Sequence, residues 1–324
     1  MPIPADLRAQ LVLPVIAAPM YHISSARLAA AACVAGVGGS LARHNHASNE
    51  EFEAQLKIVQ DASLRSADLG GRPAGPLVVN VATQLPQEEL RANLGLAARY
   101  GARIAITSVG DPTQISPIIR DLGMLHFHDV TSMRFVEKAV AIGVDGMVAI
   151  GAGGGGHAGT ISHLVFIPEI RQIFDGIIVM AGAVSHGSVI RAAEVLGADL
   201  AYMGTRFIAT QEAEVDDAYK AMLVEGTEAD VIYSSGVNGM PASWLKASLR
   251  SVGLNPDAMP VLEKRGIDHL PPDRLPWRDI WSGGQGIGLI HDIPTVAELV
   301  NRLIAEYDAA CAIPPSRQLA ASAA

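Results

Sequence analysis

The chain of 324 residues is poor in rings: six Phe, six Tyr and three Trp make up 5% of it. That scarcity argues against a β-sandwich and against a surface that stacks nucleic-acid bases. Cysteine is almost missing. Cys33 and Cys311 lie far apart, so neither a disulfide framework nor a zinc site is indicated, and a reducing, cytoplasmic setting is expected. Basic charge is also short, with 24 Lys and Arg against 33 Asp and Glu and a net charge of −9. No basic run offers a footprint for a phosphate backbone, so no nucleic-acid partner is expected, and the acidic surface reads as solubilising. No apolar run reaches the ~18 residues that a membrane helix needs, and residues 1–10 lack the pattern of a signal peptide, so no membrane is expected. No fixed short period is present, which excludes collagen-like and solenoid chains.

What is present is a hydrophobic content of 49%, a charged content of 18% and 32 Gly, the composition of a globular chain. The length allows two small domains or one α/β barrel of roughly 250 residues with an insertion. Eight short, nearly all-apolar runs read as strands buried on both faces. They are Leu11–Ala18, Val37–Leu41, Leu77–Val81, Ile104–Thr107, Leu125–Asp129, Gly146–Ile150, Ile177–Ala181 and Leu200–Met203. Helical spacing fills the gaps, for instance over Ala26–Ala35, Glu88–Tyr100, Pro112–Leu122, Ser132–Ile142 and Gly187–Leu196. Several of these helices close on glycine, as at Gly143 and Gly197, which suits a residue of positive φ past the helix end. Strand–helix alternation implies parallel strands with right-handed crossovers, and eight of them favour a (β/α)8 TIM barrel. An open doubly wound sheet, with one or two false strands, is the competing reading.

The rhythm changes after the eighth strand. Helical pieces at Ala213–Glu225 and Ala242–Val252, among several Pro and Gly, read as a helical insertion or lid. The expected division is a barrel of residues 1–207 and 277–312, an insertion of residues 208–276, and a frayed tail of residues 313–324. The helix at Thr295–Ala309 would be the last barrel helix, displaced by the insertion.

A barrel of this kind builds its active site from the loops that follow its strands. After the sixth strand comes Gly151-Ala152-Gly153-Gly154-Gly155-Gly156-His157. It contains a literal GxGxxG, but no helix opens directly behind it, so the dinucleotide reading is weak. The alternative is a loop whose backbone approaches a flat ligand closely around Gly155 and Gly156, with His157 projecting into the site. An imidazole suits proton transfer near neutral pH. After the seventh and eighth strands come Ala181-Gly182-Ala183 and Met203-Gly204-Thr205-Arg206, at the two places where such barrels commonly hold a phosphate. Ordinary strand-to-helix turns are the plainer account of each. Two HxH pairs, His44 with His46 and His126 with His128, share a strand face, but no well-placed Lys or Asp completes a metal site and none is expected. His128 reads better as a cofactor contact or a hydrogen-bonding group. Asn80, at a strand end, is either a turn cap or a partner for a heterocycle. Met20 is either core or site, following the small residues Ala17 and Ala18.

Taken in order, these segments resemble the nitronate monooxygenase (2-nitropropane dioxygenase-like) family of FMN-dependent barrels, which also includes enoyl-thioester and quinone reductases. The resemblance runs from about Leu13 to Ala309. It is carried by Pro14–Met20, Val79-Asn80-Val81, Gly156-His157-Ala158-Gly159, Ala181-Gly182-Ala183, Leu196–Asp199, Met203–Phe207 and Trp281-Ser282-Gly283-Gly284-Gln285-Gly286. It implies an FMN whose phosphate lies against Gly182, Ala183, Gly204 and Thr205, beside Ala181. Ala18, Met20, Asn80 and His128 would surround the flavin, and Gly284 and Gln285 would close over it. His157 would be the active-site base or polarising group. Three positions depart from the family's usual residues: no acidic residue precedes the histidine, His128-Asp129 stands where His-Lys is common, and Ala17-Ala18 where Gln-Gly is frequent. They bear on the reaction rather than on the fold or cofactor.

The resemblance thus implies an FMN oxidoreductase that turns alkyl nitronates and O2 into a carbonyl compound and nitrite, acting on a small-molecule substrate; a homodimer is compatible with it. The alternatives are an NAD(P)H-dependent FMN reductase of an enoyl- or acyl-CoA thioester or a quinone, and a non-catalytic flavin-binding protein. The segment Ser235–Ala242 also resembles relatives that handle acyl-CoA thioesters.

Overall fold

The computed structural model describes residues 3–314, so the expected tail lies outside the described residues from position 315 onward. In chain order the strands are β1 (Val15–Ala17), β2 (Gly39–Ala42), β3 (Leu77–Ala82), β4 (Ala102–Ser108), β5 (Leu125–Val130), β6 (Gly146–Ile150), the two-residue β7 (Gly156–His157), β8 (Ile177–Ala181), β9 (Leu200–Met203), β10 (Val231–Ser234) and β11 (Ala242–Leu245). Eight of these form one all-parallel sheet in the order β1-β9-β8-β6-β5-β4-β3-β2. The amide of Ala17 donates to the carbonyl of Gly38 at 2.8 Å and that of Gly38 to Val15 at 2.9 Å. These bonds join β1 to the start of β2 and close the sheet into a TIM barrel. All eight expected strands are present, with ends moved by up to four residues, because pairing rather than apolarity decides where a strand begins.

Each strand carries two sets of side chains. Ile16, Val78, Ile104, Ile106, Phe127, Val148, Ile177, Val179 and Leu200 fill the barrel, and Leu7 from the helix Ala5–Ala9 plugs its lower end. The alternate set, including Val79, Ala105, Met147, Ile178 and Ala201, packs outward against the helices. Burial on both faces is why these strands read as continuous apolar runs. The helices Met133–Ile142 and Gly187–Leu196 end on Gly143 and Gly197, both left-handed, as the sequence predicts.

The insertion differs from expectation. Helical spacing predicts a helix from Ala242, but Ala242–Leu245 is a fully buried strand, and the helix begins at Lys246. β11 pairs antiparallel with β10 on one side and with β7 on the other. Two ladders outweigh the local helical preference of four residues. The insertion therefore reaches back and binds the Gly-rich loop after β6. The chain then returns to the barrel through Val296–Cys311, a helix opened by the Thr295–Glu298 capping box and packed on Gly187–Leu196.

Candidate active site

Three side chains at the C-terminal ends of adjacent strands form a chain of hydrogen bonds. Asn80 Nδ2 donates to Ser108 Oγ at 2.7 Å, and Ser108 Oγ donates to Asp129 Oδ2 at 2.6 Å. Their places on β3, β4 and β5 continue the inward set Val78, Ile106 and Phe127, so they line the mouth of the barrel. Burial pushes the Asp129 carboxyl up to about 7, against the smaller opposing effect of the Ser108 hydrogen bond. Its other oxygen, Oδ1, is buried with no hydrogen-bond partner.

His128 lies on the opposite face of β5, turned from the mouth, and of its two expected roles it fills the hydrogen-bonding one. Its Nδ1 is 2.8 Å from Thr107 Oγ1, which also meets His126 Nε2 at 2.9 Å, and His126 Nδ1 reaches Ser116 of an outer helix at 3.0 Å. Both rings belong to the strand–helix layer, and burial lowers both pKa values. Strand alternation is the reason: the residue aimed at the mouth is Asp129, one position on.

The other half of the mouth is backbone. Met20 and Ala18 come together over Gly204, where an added Cβ would lie 3.4 Å from Met20 Sδ and 3.6 Å from Ala18 Cβ. The loop at 283–286 is held from two sides: Gln285 N donates to Gly153 O of the loop after β6 at 2.8 Å, and Gly284 N donates to Thr205 Oγ1 after β9 at 3.0 Å. A Cβ on Gly284 would fall 2.7 Å from Gly153 O and 2.9 Å from Gly155 N, so no side chain fits there. Past β8 the chain turns through Gly182 at φ 121° and Ala183 at φ 55°, the latter a left-handed residue with a side chain. Ala181 closes its strand, accepting from Gly151 N and facing His163 Nε2 at 2.8 Å. Ser185 Oγ, just beyond this turn, is buried without a partner. Arg206, by contrast, is engaged elsewhere, with Asp292 Oδ1 at 2.9 Å.

His157 follows Gly156 on β7 and is held by pairing with Ala242. Its ring lies 5.0 Å from that of Trp277, which also neighbours Trp244 at 5.1 Å and Tyr21 at 6.4 Å. Trp277 is left-handed at φ 62°, a backbone state that bulky residues avoid and that clusters at functional sites. Burial, assisted by the Arg265 charge, lowers the His157 pKa, so the ring is neutral at pH 7, and Nε2 is buried without a partner. A cavity of about 430 Å³ is bordered by Trp277, Trp281, Tyr219 and His22 rather than by the strand-end glycines. Among the described residues no group of three or more His, Cys, Asp or Glu is placed to hold a metal ion.

A family model described as nitronate monooxygenase matches residues 7–261. The chain belongs to the nitronate monooxygenase family. It is 24% identical over 283 residues to a nitronate monooxygenase of Paraburkholderia phytofirmans, covering 75% of this chain and 76% of that one. It is 27% identical over 241 residues to (3aS,4S,5R,7aS)-5-hydroxy-7a-methyl-1-oxo-octahydro-1H-indene-4-carboxyl-CoA dehydrogenase of Mycobacterium tuberculosis, covering 73% of this chain. The chain spans 64% of that relative, less than two thirds of its length. In structure it is similar to nitroalkane oxidase from Streptomyces ansochromogenes, with a TM-score of 0.76, 24% identity and coverage of 95% of this chain and 99% of that one.

The mouth of this family member fits the FMN that the resemblance implies. Two buried polar atoms, His157 Nε2 and Asp129 Oδ1, lack partners, as does the Ser185 hydroxyl beside the turn expected to meet a phosphate. The turns after β8 and β9 present small residues and backbone. Sequence reasoning placed Ala18, Met20, Gly204, Thr205, Gly155, Gly284 and Gln285, and the fold gathers them. It missed Ser108, Ser185 and Trp277, and read Asp129 only as a lost positive charge. The alternation of β5 carried a signal for Asp129. None marked Trp277, whose neighbours are distant in sequence.

Proposed function

We propose that the protein is an FMN-dependent oxidoreductase that converts alkyl nitronates and O2 into a carbonyl compound and nitrite. The observation that carries this reading is His157: neutral, with an unpartnered Nε2, and held on β7 at the end of the Gly-rich loop. The backbone of Gly182, Ala183, Gly204 and Thr205, with Ser185 Oγ, would hold the phosphate. Ala18, Met20 and Asn80 would border the ring, and Gly155, Gly156, Gly284 and Gln285 would close over it. FMN, when bound, supplies the electron-transfer chemistry that no side chain offers. His157 does the rest: a neutral imidazole accepts the α-proton of a nitroalkane or donates to a nitronate oxygen. The Trp277 ring, backed by Trp244, covers that histidine and would limit its access to water. The work takes place in the cytoplasm, in keeping with two unpaired cysteines.

The relative named as an acyl-CoA dehydrogenase favours a second reading, an NAD(P)H-dependent FMN reductase of an enoyl- or acyl-CoA thioester or a quinone on the same site. Anaerobic mixing separates the two. An alkyl nitronate is expected to bleach the bound flavin, and NADH and NADPH are expected not to. Bleaching by a pyridine nucleotide alone would overturn the first reading in favour of the second.

A further inference from the structure

The mouth contains a carboxyl group for which the chemistry above has no use. Asp129 ends β5 on the inward side, and Ser108 Oγ donates its proton to Oδ2. Ser108 is committed, since Asn80 Nδ2 already donates to it. Oδ1 has no donor and is shielded from water. Among the described residues no Lys, Arg or His lies within 4.0 Å of this carboxylate. A carboxylate with one hydrogen bond and no counter-charge is poorly solvated; a carboxylic acid in the same place is not, and it has a proton to donate from Oδ1.

We propose that Asp129 is a proton-exchanging group at the barrel mouth: an acid that would donate a hydrogen bond to a bound FMN and tune its readiness to accept electrons. This rests on the FMN reading above. The groups facing Asp129 leave it this role. Asn80 and Ser108 face it from β3 and β4, and Val148 and Ile150 are the inward residues of β6. Tyr202 is inward on β9, and burial first, then the Asp129 charge, holds its phenol neutral well above the ordinary tyrosine range. His126 and His128 face the other way.

Reduction places negative charge on a flavin ring whenever two electrons arrive with one proton. A neutral Asp129 stabilises that charge and an ionised one repels it, so reduction raises the affinity of Asp129 for its proton. The balance is therefore pH-dependent. Below the pKa of Asp129 in the oxidised protein, two electrons from dithionite bring one proton, to the ring. Between it and the higher pKa of Asp129 in the reduced protein they bring two from solvent, one to the ring and one to Oδ1 of Asp129, and above that higher value one again. Burial sets the crossover in the neutral range, since the carboxyl is pushed up to about 7.

The test is a redox titration of the FMN-loaded protein with dithionite across about pH 5.5–9, comparing wild type with Asp129→Asn. Asn keeps an acceptor for Ser108 and cannot ionise. Wild type is expected to rise from one proton toward two per two electrons near neutral pH and to fall back toward one at higher pH, while Asp129→Asn shows no such rise. Ser108→Ala removes a bond that favours the ionised form and is expected to move the crossover to higher pH. A second readout needs no flavin: the cofactor-free protein should show a carboxylic-acid carbonyl band in the infrared below pH 7, absent from Asp129→Asn. FMN bound with the same proton count in wild type and Asp129→Asn overturns this inference alone. Failure of the folded protein to bind FMN overturns the reading it rests on, and this inference with it.

Discussion

On one side of the barrel mouth, β3, β4 and β5 end in Asn80, Ser108 and Asp129, side chains joined in a line. On the other side, β6, β8 and β9 end in turns of Gly, Ala and Thr whose neighbours are one another's backbone. The first side holds a proton in a poorly solvated place. The second holds a shape, since a Cβ added at Gly284 or Gly182 meets a carbonyl and an amide of the loop after β6. Between them stands His157, which belongs to neither and is supplied by pairing with the insertion. In the proposed reading, substrate chemistry, proton balance and cofactor grip fall to three separate structures, and each should be open to damage without the others.

The largest expected effect is at His157. His157→Asn should lower turnover by about 10²–10⁴-fold, the usual worth of a positioned acid–base group, while the flavin stays bound. Stopped-flow turnover with a nitronate measures the first, and the flavin spectrum of the purified variant measures the second. Turnover equal to wild type would remove His157 from the mechanism. The backbone side should respond the other way round. In Gly284→Ala the new Cβ meets Gly153 O and Gly155 N, and relieving such a clash costs about 1–3 kcal/mol. Placed on cofactor binding, that raises the Kd for FMN by roughly 5–150-fold, readable by fluorescence titration. Ser108→Ala in the same assay should leave the Kd within about threefold, because that side tunes the ring rather than gripping it.

The smallest effect is on stability. The pKa values of His22, His44, His46, His126, His128, His157 and His163 are all lowered, with burial as the main cause. The unfolded chain binds protons at these sites before the folded one does, so stability is lost as pH falls below ~6.5. Asp129 acts in the opposite sense. Its folded pKa is raised, so its contribution is full below the ordinary carboxylate range and fades as pH rises toward about 7. Removing it should leave the histidines unopposed. The drop in Tm between about pH 7.5 and about pH 5 is expected to be larger in Asp129→Asn than in wild type, by a few degrees. An equal or smaller drop would show that Asp129 ionises normally.

Much of this was legible in the sequence wherever a residue's meaning is local. Apolar strands, glycine helix ends and the run of glycine before His157 each state their geometry within a few positions. The mouth is harder because it depends on alternation. In His128-Asp129 a shift of one residue decides which side chain enters the barrel, and the more reactive-looking imidazole is the one turned outward. The insertion is harder still. Ala242–Leu245 has helical spacing, and its strand exists only because β7 and β10 lie beside it. The aromatic scarcity also changes meaning: Trp244, Tyr21 and His157 all gather around one left-handed tryptophan, Trp277.

The short ladder between β7 and β11 has a consequence for how activity is acquired. The barrel strands pair mainly with sequence neighbours, whereas His157 is positioned by a segment made much later in the chain. Contacts that close long loops form late. Closure of the barrel itself, Val15 on Ala201, spans still more of the chain, so a refolding chain is expected to gain its closed barrel and the seat of His157 together, after the neighbouring strands β2 to β6 have paired.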